Sequence, residues 1–186
     1  MRAILAFVAI ILVFLVVNVH LLFTMEWRKG RRTEAAAYHE AGYAVIGRRL
    51  GMICSGASIE SHNDSAVSCV LTDPNLIQHQ WVLKGKYRDP ASVFRGKILT
   101  YMAGAEAERE FGFTRKDDDN DREQIDAMLK WLPKSDVSYE QQLRKKARGL
   151  IRRHKAKIDL IAKELSKRRR LLADDIDALL ASPHAD

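Results

Sequence analysis

The stretch Thr33-Glu34-Ala35-Ala36-Ala37-Tyr38-His39-Glu40-Ala41-Gly42-Tyr43-Ala44-Val45-Ile46-Gly47-Arg48-Arg49-Leu50, closed by Gly51, decides how the chain is read. Tyr38, Ala41, Val45 and Ile46 recur at spacings of three and four, which places them on one stripe of an α-helix. Thr33 suits the N-cap, Glu34 lies in the first turn where the helix dipole favours an acid, and Gly51 suits the C′ position. Chemistry-bearing side chains sit in the middle of this helix. In a zinc helix of the form His-Glu-x-x-His, two histidines at i and i+4 share a face and bind the metal, and the glutamate serves as general base. Here His39 and Glu40 fit that form, and Tyr43 stands at the second histidine position. By itself a His-Glu pair is a weak signal, because a polar pair on an amphipathic helix looks the same.

Downstream of this helix, Met52–Ser61 and Ser65–Thr72 suit short strands. The polar turn His62-Asn63-Asp64 between them predicts a hairpin. Asp73-Pro74 ends the second run, and residues 75–89 show no period and read as loop. Pro90 opens a helix to about Phe111, since proline is tolerated in a first turn, and Gly112 stops it. A further helix is expected from Asp119-Asn120 to Leu132, ended by Pro133. Leu143, Ala147, Leu150, Ile151, His154, Ile158, Ile161 and Leu165 then define a single apolar stripe of one long helix. Asp174–Leu180 forms a short last one. The expected fold class is mainly α with a small β-hairpin or sheet.

Upstream, Ala3–Phe23 reads AILAFVAIILVFLVVNVHLLF, with Asn18 and His20 its strongly polar members. At 1.5 Å per residue this is roughly 32 Å of helix, enough to span a bilayer core. A cleaved signal peptide is the rival reading. It calls for a shorter apolar run and a small-residue cleavage site, and Thr24-Met25-Glu26-Trp27 supplies none. Arg28, Lys29, Arg31 and Arg32 follow the span while Arg2 precedes it, so the positive-inside rule puts the remainder in the cytoplasm. The expected layout is a transmembrane anchor over 1–25, a basic juxtamembrane linker over 26–32, a domain over 33–182 and a tail over 183–186.

Composition narrows the classes. Hydrophobic residues make up 47% and charged residues 30%, which excludes a wholly disordered chain. Two cysteines, Cys54 and Cys69, exclude a disulfide scaffold, leave one optional bridge, and match no zinc-finger spacing; free thiols would suit a reducing compartment. The net charge of +7 directs attention to acidic partners. Thirteen Lys/Arg lie between Arg144 and Arg170. Their ordinary reading is the solvated face of an amphipathic helix, and their functional reading is contact with anionic lipid beneath the anchor. No nucleic-acid motif accompanies them and aromatics are few, so nucleic acid is the poorer reading. Asp117-Asp118-Asp119-Asn120-Asp121 has the alternating oxygens of a calcium loop, but Arg122 stands where glycine is needed and Met128 where the last ligand belongs.

Taken together, these segments resemble a known family. Ala36–Gly47 (AAYHEAGYAVIG) is similar to the active-site helix of the FtsH-type zinc metallopeptidase domain, where a His-Glu-Ala-Gly-His helix is usual. Ile98–Gly112 (ILTYMAGAEAEREFG) resembles its Leu-Ala-Gly-x-x-Ala-Glu helix. Ala57-Ser58-Ile59 resembles its strand after the first helix, Asn120-Asp121-x-x-Gln124 its third-ligand segment, and Gly149–Leu180 its C-terminal helices. The resemblance spans about Thr33 to Ala181 and implies a zincin-like helical metallopeptidase fold. It implies His39 and Asp121 as zinc ligands and Glu40 as the base for the attacking water. Tyr43 is the altered ligand position, and either Tyr43 itself or His62 on the neighbouring turn is the candidate to complete the set. The family's ATPase half has no counterpart, since no G-x-x-x-x-G-K-[ST] occurs, and no ATP binding is expected. Two functions follow as expectations. One is hydrolysis of unfolded peptide or protein by zinc-activated water. The other is an inactive pseudopeptidase that binds peptides or a protease partner, with zinc weak or absent because a phenol of pKa near 10 ionises reluctantly.

Overall fold

A computed structural model of the chain describes residues 2–52, 54–60, 90–113, 119–132 and 137–182. The side chains of residues 2–19, 21–23, 90 and 119–120 are excepted. Six helices and two strands occur among them: α1 (Arg2–Arg49), β1 (Gly56–Ser58), α2 (Pro90–Glu110), α3 (Asp119–Leu129), α4 (Val137–Arg153), α5 (Lys155–Arg168), β2 (Arg170–Leu172) and α6 (Ala173–Ala181). The architecture is mainly α with one small antiparallel sheet. Two compact units are distinguished, Met1–Glu34 and Ala35–Asp186. Among the described residues no helix is long and apolar enough to cross a membrane; the side chains of Ala3–Phe23 lie almost entirely outside that set.

Several boundaries follow local chemistry. Gly51 and Gly112, at φ 77° and 81°, follow the ends of α1 and α2 in the left-handed conformation that glycine adopts without penalty. Thr33 is not an N-cap, because α1 runs through it from Arg2. No proline interrupts the preceding turns, and the lone Gly30 costs only about 1 kcal/mol against alanine.

β1 pairs antiparallel with β2, placing Gly56 opposite Leu172, Ala57 opposite Leu171 and Ser58 opposite Arg170. The proposed partner strand Ser65–Thr72 and the turn residue His62 lie outside the described residues. The pairing is made possible by Arg169, which caps α5 in the left-handed region at φ 65°. Its N–H donates to Leu165 O at 2.8 Å, and its carbonyl accepts from the Ile59 N–H at 3.0 Å. The expected single long C-terminal helix is two helices. His154, at φ −110° and ψ 22°, separates α4 from α5; Leu143 and Ala147 join one part of the core, and Ile151, Ile158, Ile161 and Leu165 join the other. Cys54 is buried and disulfide-bonded, so free thiols no longer argue for a reducing compartment.

The core has two parts, and α2 contributes to both. Ala103 and Ala107 pack with Ala37, Ala41, Ala44, Ile46, Ile151, Ile158, Ile161 and Leu165. Ile98, Leu99 and Met102 pack with Ile125, Met128, Leu129, Leu143 and Ala147. Where α1 meets α2 the side chains shrink to nothing. A Cβ on Gly42 would stand 2.7 Å from Ala103 O and 2.9 Å from Ala107 Cβ. Both obstacles belong to the partner helix itself, so they cannot swing away. Gly42→Ala is expected to force the helices apart and destabilise the protein by about 1–3 kcal/mol, the usual cost of overpacking. A chemical-denaturation midpoint indistinguishable from wild type would show that the two helices do not meet here.

The basic stretch is largely paired within the fold. Arg144 meets Glu140 at 3.0 Å, Lys163 meets Asp159 at 2.6 Å and Arg168 meets Asp175 at 2.8 Å. Arg148 lies 3.6 Å from Glu106, Arg152 lies 3.3 Å from Glu110, and Lys155 lies 2.9 Å from Glu110. These contacts are those of a solvated helix face laced to its neighbours, and exposed pairs of this kind contribute little individually.

Candidate functional site

Three helices bring the site together. His39 and Tyr43 lie one turn apart on α1, so both project from the same face. Their rings meet edge to face, 4.6 Å between centroids. Across from them, α2 presents Gly104. A Cβ there would fall 2.6 Å from His39 Nε2 and 2.7 Å from Tyr43 Cε1, so glycine makes the space that both rings occupy. One turn further along α2, the buried carboxylate of Glu108 reaches His39 Nδ1 at 2.5 Å. α3 supplies Asp121, whose Oδ2 lies 3.2 Å from His39 Nε2. The Tyr43 hydroxyl donates to the same Asp121 oxygen. Glu108, His39, Asp121 and Tyr43 thus form one buried chain of charge-assisted contacts, each side chain holding the next.

The electrostatics follow from this placement. Burial pulls the His39 pKa down and is the largest single influence. The hydrogen bonds to Asp121 and Glu108, helped by the nearby charges of Glu40 and Asp121, outweigh it and lift the pKa to about 10. His39 therefore sits in the metal-free fold as an imidazolium with both ring nitrogens donating. Tyr43 is pushed well above its usual 10, first by burial, then by the charge and hydrogen bond of Asp121 and the charge of Glu40. Its phenol keeps its proton. Tyr101, 5.9 Å from Tyr43 between ring centroids, is raised as well by burial and by Asp121.

These shifts predict a pH dependence. The folded state keeps the His39 proton up to about pH 10, whereas an unfolded histidine releases it near 6.5. Between those values the folded state binds more protons than the unfolded state, so stability falls as pH rises. The raised Tyr43 extends the same loss to higher pH. Going from about pH 6 to about pH 9, the metal-free protein should lose roughly 3 kcal/mol on this account. Denaturant unfolding at the two values measures it, and equal stability at both would place a neutral imidazole in the fold.

Zinc binds N and O ligands at about 2.0–2.2 Å in a tetrahedron, which sets neighbouring ligand atoms about 3.4 Å apart. The 3.2 Å between His39 Nε2 and Asp121 Oδ2 is close to that spacing. A carboxylate on the far ring nitrogen, here Glu108, is the usual orienting partner of a metal-bound histidine. The third donor is where the fit fails. Tyr43 holds its proton and spends it on Asp121, while metal ligands must be deprotonated. Among the described residues no group of three or more His, Cys, Asp or Glu side chains could hold a metal ion. Among the described residues His39 and Asp121 supply two donors and Tyr43 a phenol.

His39, Tyr43 and Asp121, singled out by sequence, are brought together. Glu40, half-buried beside them on α1, acts on both rings through its charge. His62 lies outside the described residues. Glu108 and Gly104 were not singled out. Their signal was present in the Ile98–Gly112 stretch, where Gly104 and Glu108 stand four apart and share a helix face. Beside Asp121 the space lined by Tyr101, Ile125, Arg122 and Arg144 amounts to about 10 Å³, about enough for one water. No family model matches this sequence, and no curated protein matches it.

Proposed function

We propose that this chain is an FtsH-like metallopeptidase-type domain on an N-terminal membrane anchor, and that it works as a pseudopeptidase. It would bind unfolded peptide or a protease partner rather than cleave. One observation carries the inactive reading: the Tyr43 hydroxyl, at the position of the second histidine, is bonded to Asp121, the other ligand of the implied set. A side chain that would have to ligate instead closes the site with a hydrogen bond. The anchor rests on the length of Ala3–Phe23, and the cytoplasmic orientation on the cations after it. The disulfide of Cys54 is the observation that opposes that orientation, since such bonds persist in oxidising compartments. A C-terminal reporter active only outside the cytoplasm decides between the two, and strong reporter activity would reverse the orientation.

A second reading, an active zinc peptidase, is favoured by the His39–Glu108 contact and the His39–Asp121 spacing. The two functions separate in one assay. The full-length protein in detergent micelles is mixed with an unfolded polypeptide in the presence of zinc. The pseudopeptidase reading expects the polypeptide to be retained uncut. Cleavage that a chelator stops and Glu40→Gln abolishes would establish the peptidase instead.

A further inference from the structure

Away from the His39 site, α2 and α4 enclose an open cleft of about 280 Å³, lined by Glu106, Arg109, Glu110, Arg148, Ile151 and Arg152. Its floor is the Glu106 side chain, only 1% exposed. Arg109 answers that carboxylate with a hydrogen bond of 2.7 Å, and on the rim Lys155 answers Glu110 at 2.9 Å. Two acids are therefore matched by two cations at good distances. Arg148 and Arg152, one turn apart on α4 and so on the same face, stand at the second oxygen of each acid. Arg148 lies 3.6 Å from Glu106, beyond hydrogen-bond range. Arg152 makes a long 3.3 Å contact to Glu110. Both are solvent-accessible, at 53% and 71%, and each guanidinium carries five donors. The cleft thus presents two guanidiniums that its own carboxylates hold only loosely, over a volume ample for a tetrahedral oxyanion.

We propose that this cleft binds a phosphate group, with Arg148 and Arg152 as its two arms and Arg109 behind them. Arginine suits this task because its planar fork grips phosphate oxygens in pairs. Glu106 and Glu110 are each already paired with cations, and the three arginines of the lining outnumber its two acids. The same chemistry serves a soluble phosphate or an exposed lipid phosphomonoester, and the test separates the two sources. It does not depend on the state of the His39 site.

The full-length protein in neutral detergent micelles is titrated calorimetrically with inorganic phosphate at constant ionic strength. It is titrated in parallel with short-chain phosphatidic acid in mixed micelles. Binding of either probe is expected to weaken about tenfold with Arg148→Gln and again with Arg152→Gln, the loss expected for one charge-assisted hydrogen bond each. Lys163→Gln and Lys167→Gln, which remove equal charge elsewhere on the basic stretch, should leave it unchanged. Arginine-dependent binding of inorganic phosphate marks a soluble ligand, and arginine-dependent binding of phosphatidic acid alone marks a lipid headgroup. Absence of binding to both probes, or equal losses from the lysine variants, would overturn the proposal.

Discussion

Tyr43→His is expected to convert the protein into a zinc binder that takes up about one metal per chain. The second imidazole would stand one turn from His39 on the same face of α1, facing Asp121 at the place the phenol now holds. Imidazole ligates as the neutral base and needs no deprotonation at pH 7, unlike a phenol of pKa near 10 or above. Loss of mere outer-shell support costs 10–100-fold in metal affinity, so restoring a direct ligand should gain at least about 100-fold. Uptake should improve as pH rises, because the metal must displace the His39 proton. Zinc per chain by atomic absorption, after dialysis against a weak chelator, reads the result. If Tyr43→His takes up no zinc, the three side chains do not share the geometry described here. A zinc-loaded Tyr43→His protein is also the setting in which Glu40→Gln becomes informative, since hydrolysis gained and then lost would assign the base.

Glu108→Ala is expected to destabilise the metal-free protein by about 3–5 kcal/mol, the usual cost of leaving one member of a buried ion pair behind. Glu108 and His39 are both almost fully buried and meet at 2.5 Å, so bulk solvent does not screen the imidazolium left behind. Glu108→Gln should cost less, on the order of 1–2 kcal/mol, since the amide oxygen still accepts from Nδ1 and only the charge is lost. The double variant Glu108→Leu, His39→Leu should recover part of the loss, because the imidazolium is removed along with its carboxylate partner, while Asp121 keeps its hydrogen bond from Tyr43. Denaturant unfolding of wild type, Glu108→Leu, His39→Leu and the double variant forms a mutant cycle. Losses that simply add would mean the pair does not interact, and the network described here would be wrong.

Much of the helical framework was legible because it is written in local chemistry. Pro90 and Gly112 bracket α2, and Gly51 closes α1. What escaped depends on residues far apart or on unusual backbone. Nothing local announces that Gly56–Ser58 will pair with Arg170–Leu172, more than a hundred positions on. The turn that aims β2 there is made by Arg169 in a left-handed conformation where glycine would be the ordinary signal. The break at His154 is equally silent, since the apolar spacing continues through it. At the site, the His-Glu-x-x-Tyr spacing on one helix identified His39 and Tyr43. Asp121 came only from resemblance, as nothing in its own neighbourhood distinguishes it from Asp117 to Asp119. Glu108 escaped because an acid in a charged helical stretch reads as surface. Only the packing of α2 against α1, made close by Gly42 and Gly104, turns it inward.

The central claim is that Tyr43, bonded to Asp121, closes the place where a metal would sit. It is tested most directly by the zinc content of the wild-type, full-length protein after exposure to zinc and dialysis against a weak chelator. The account expects far less than one zinc per chain, with no change on Tyr43→Phe. One tightly held zinc per chain in the wild type would contradict it.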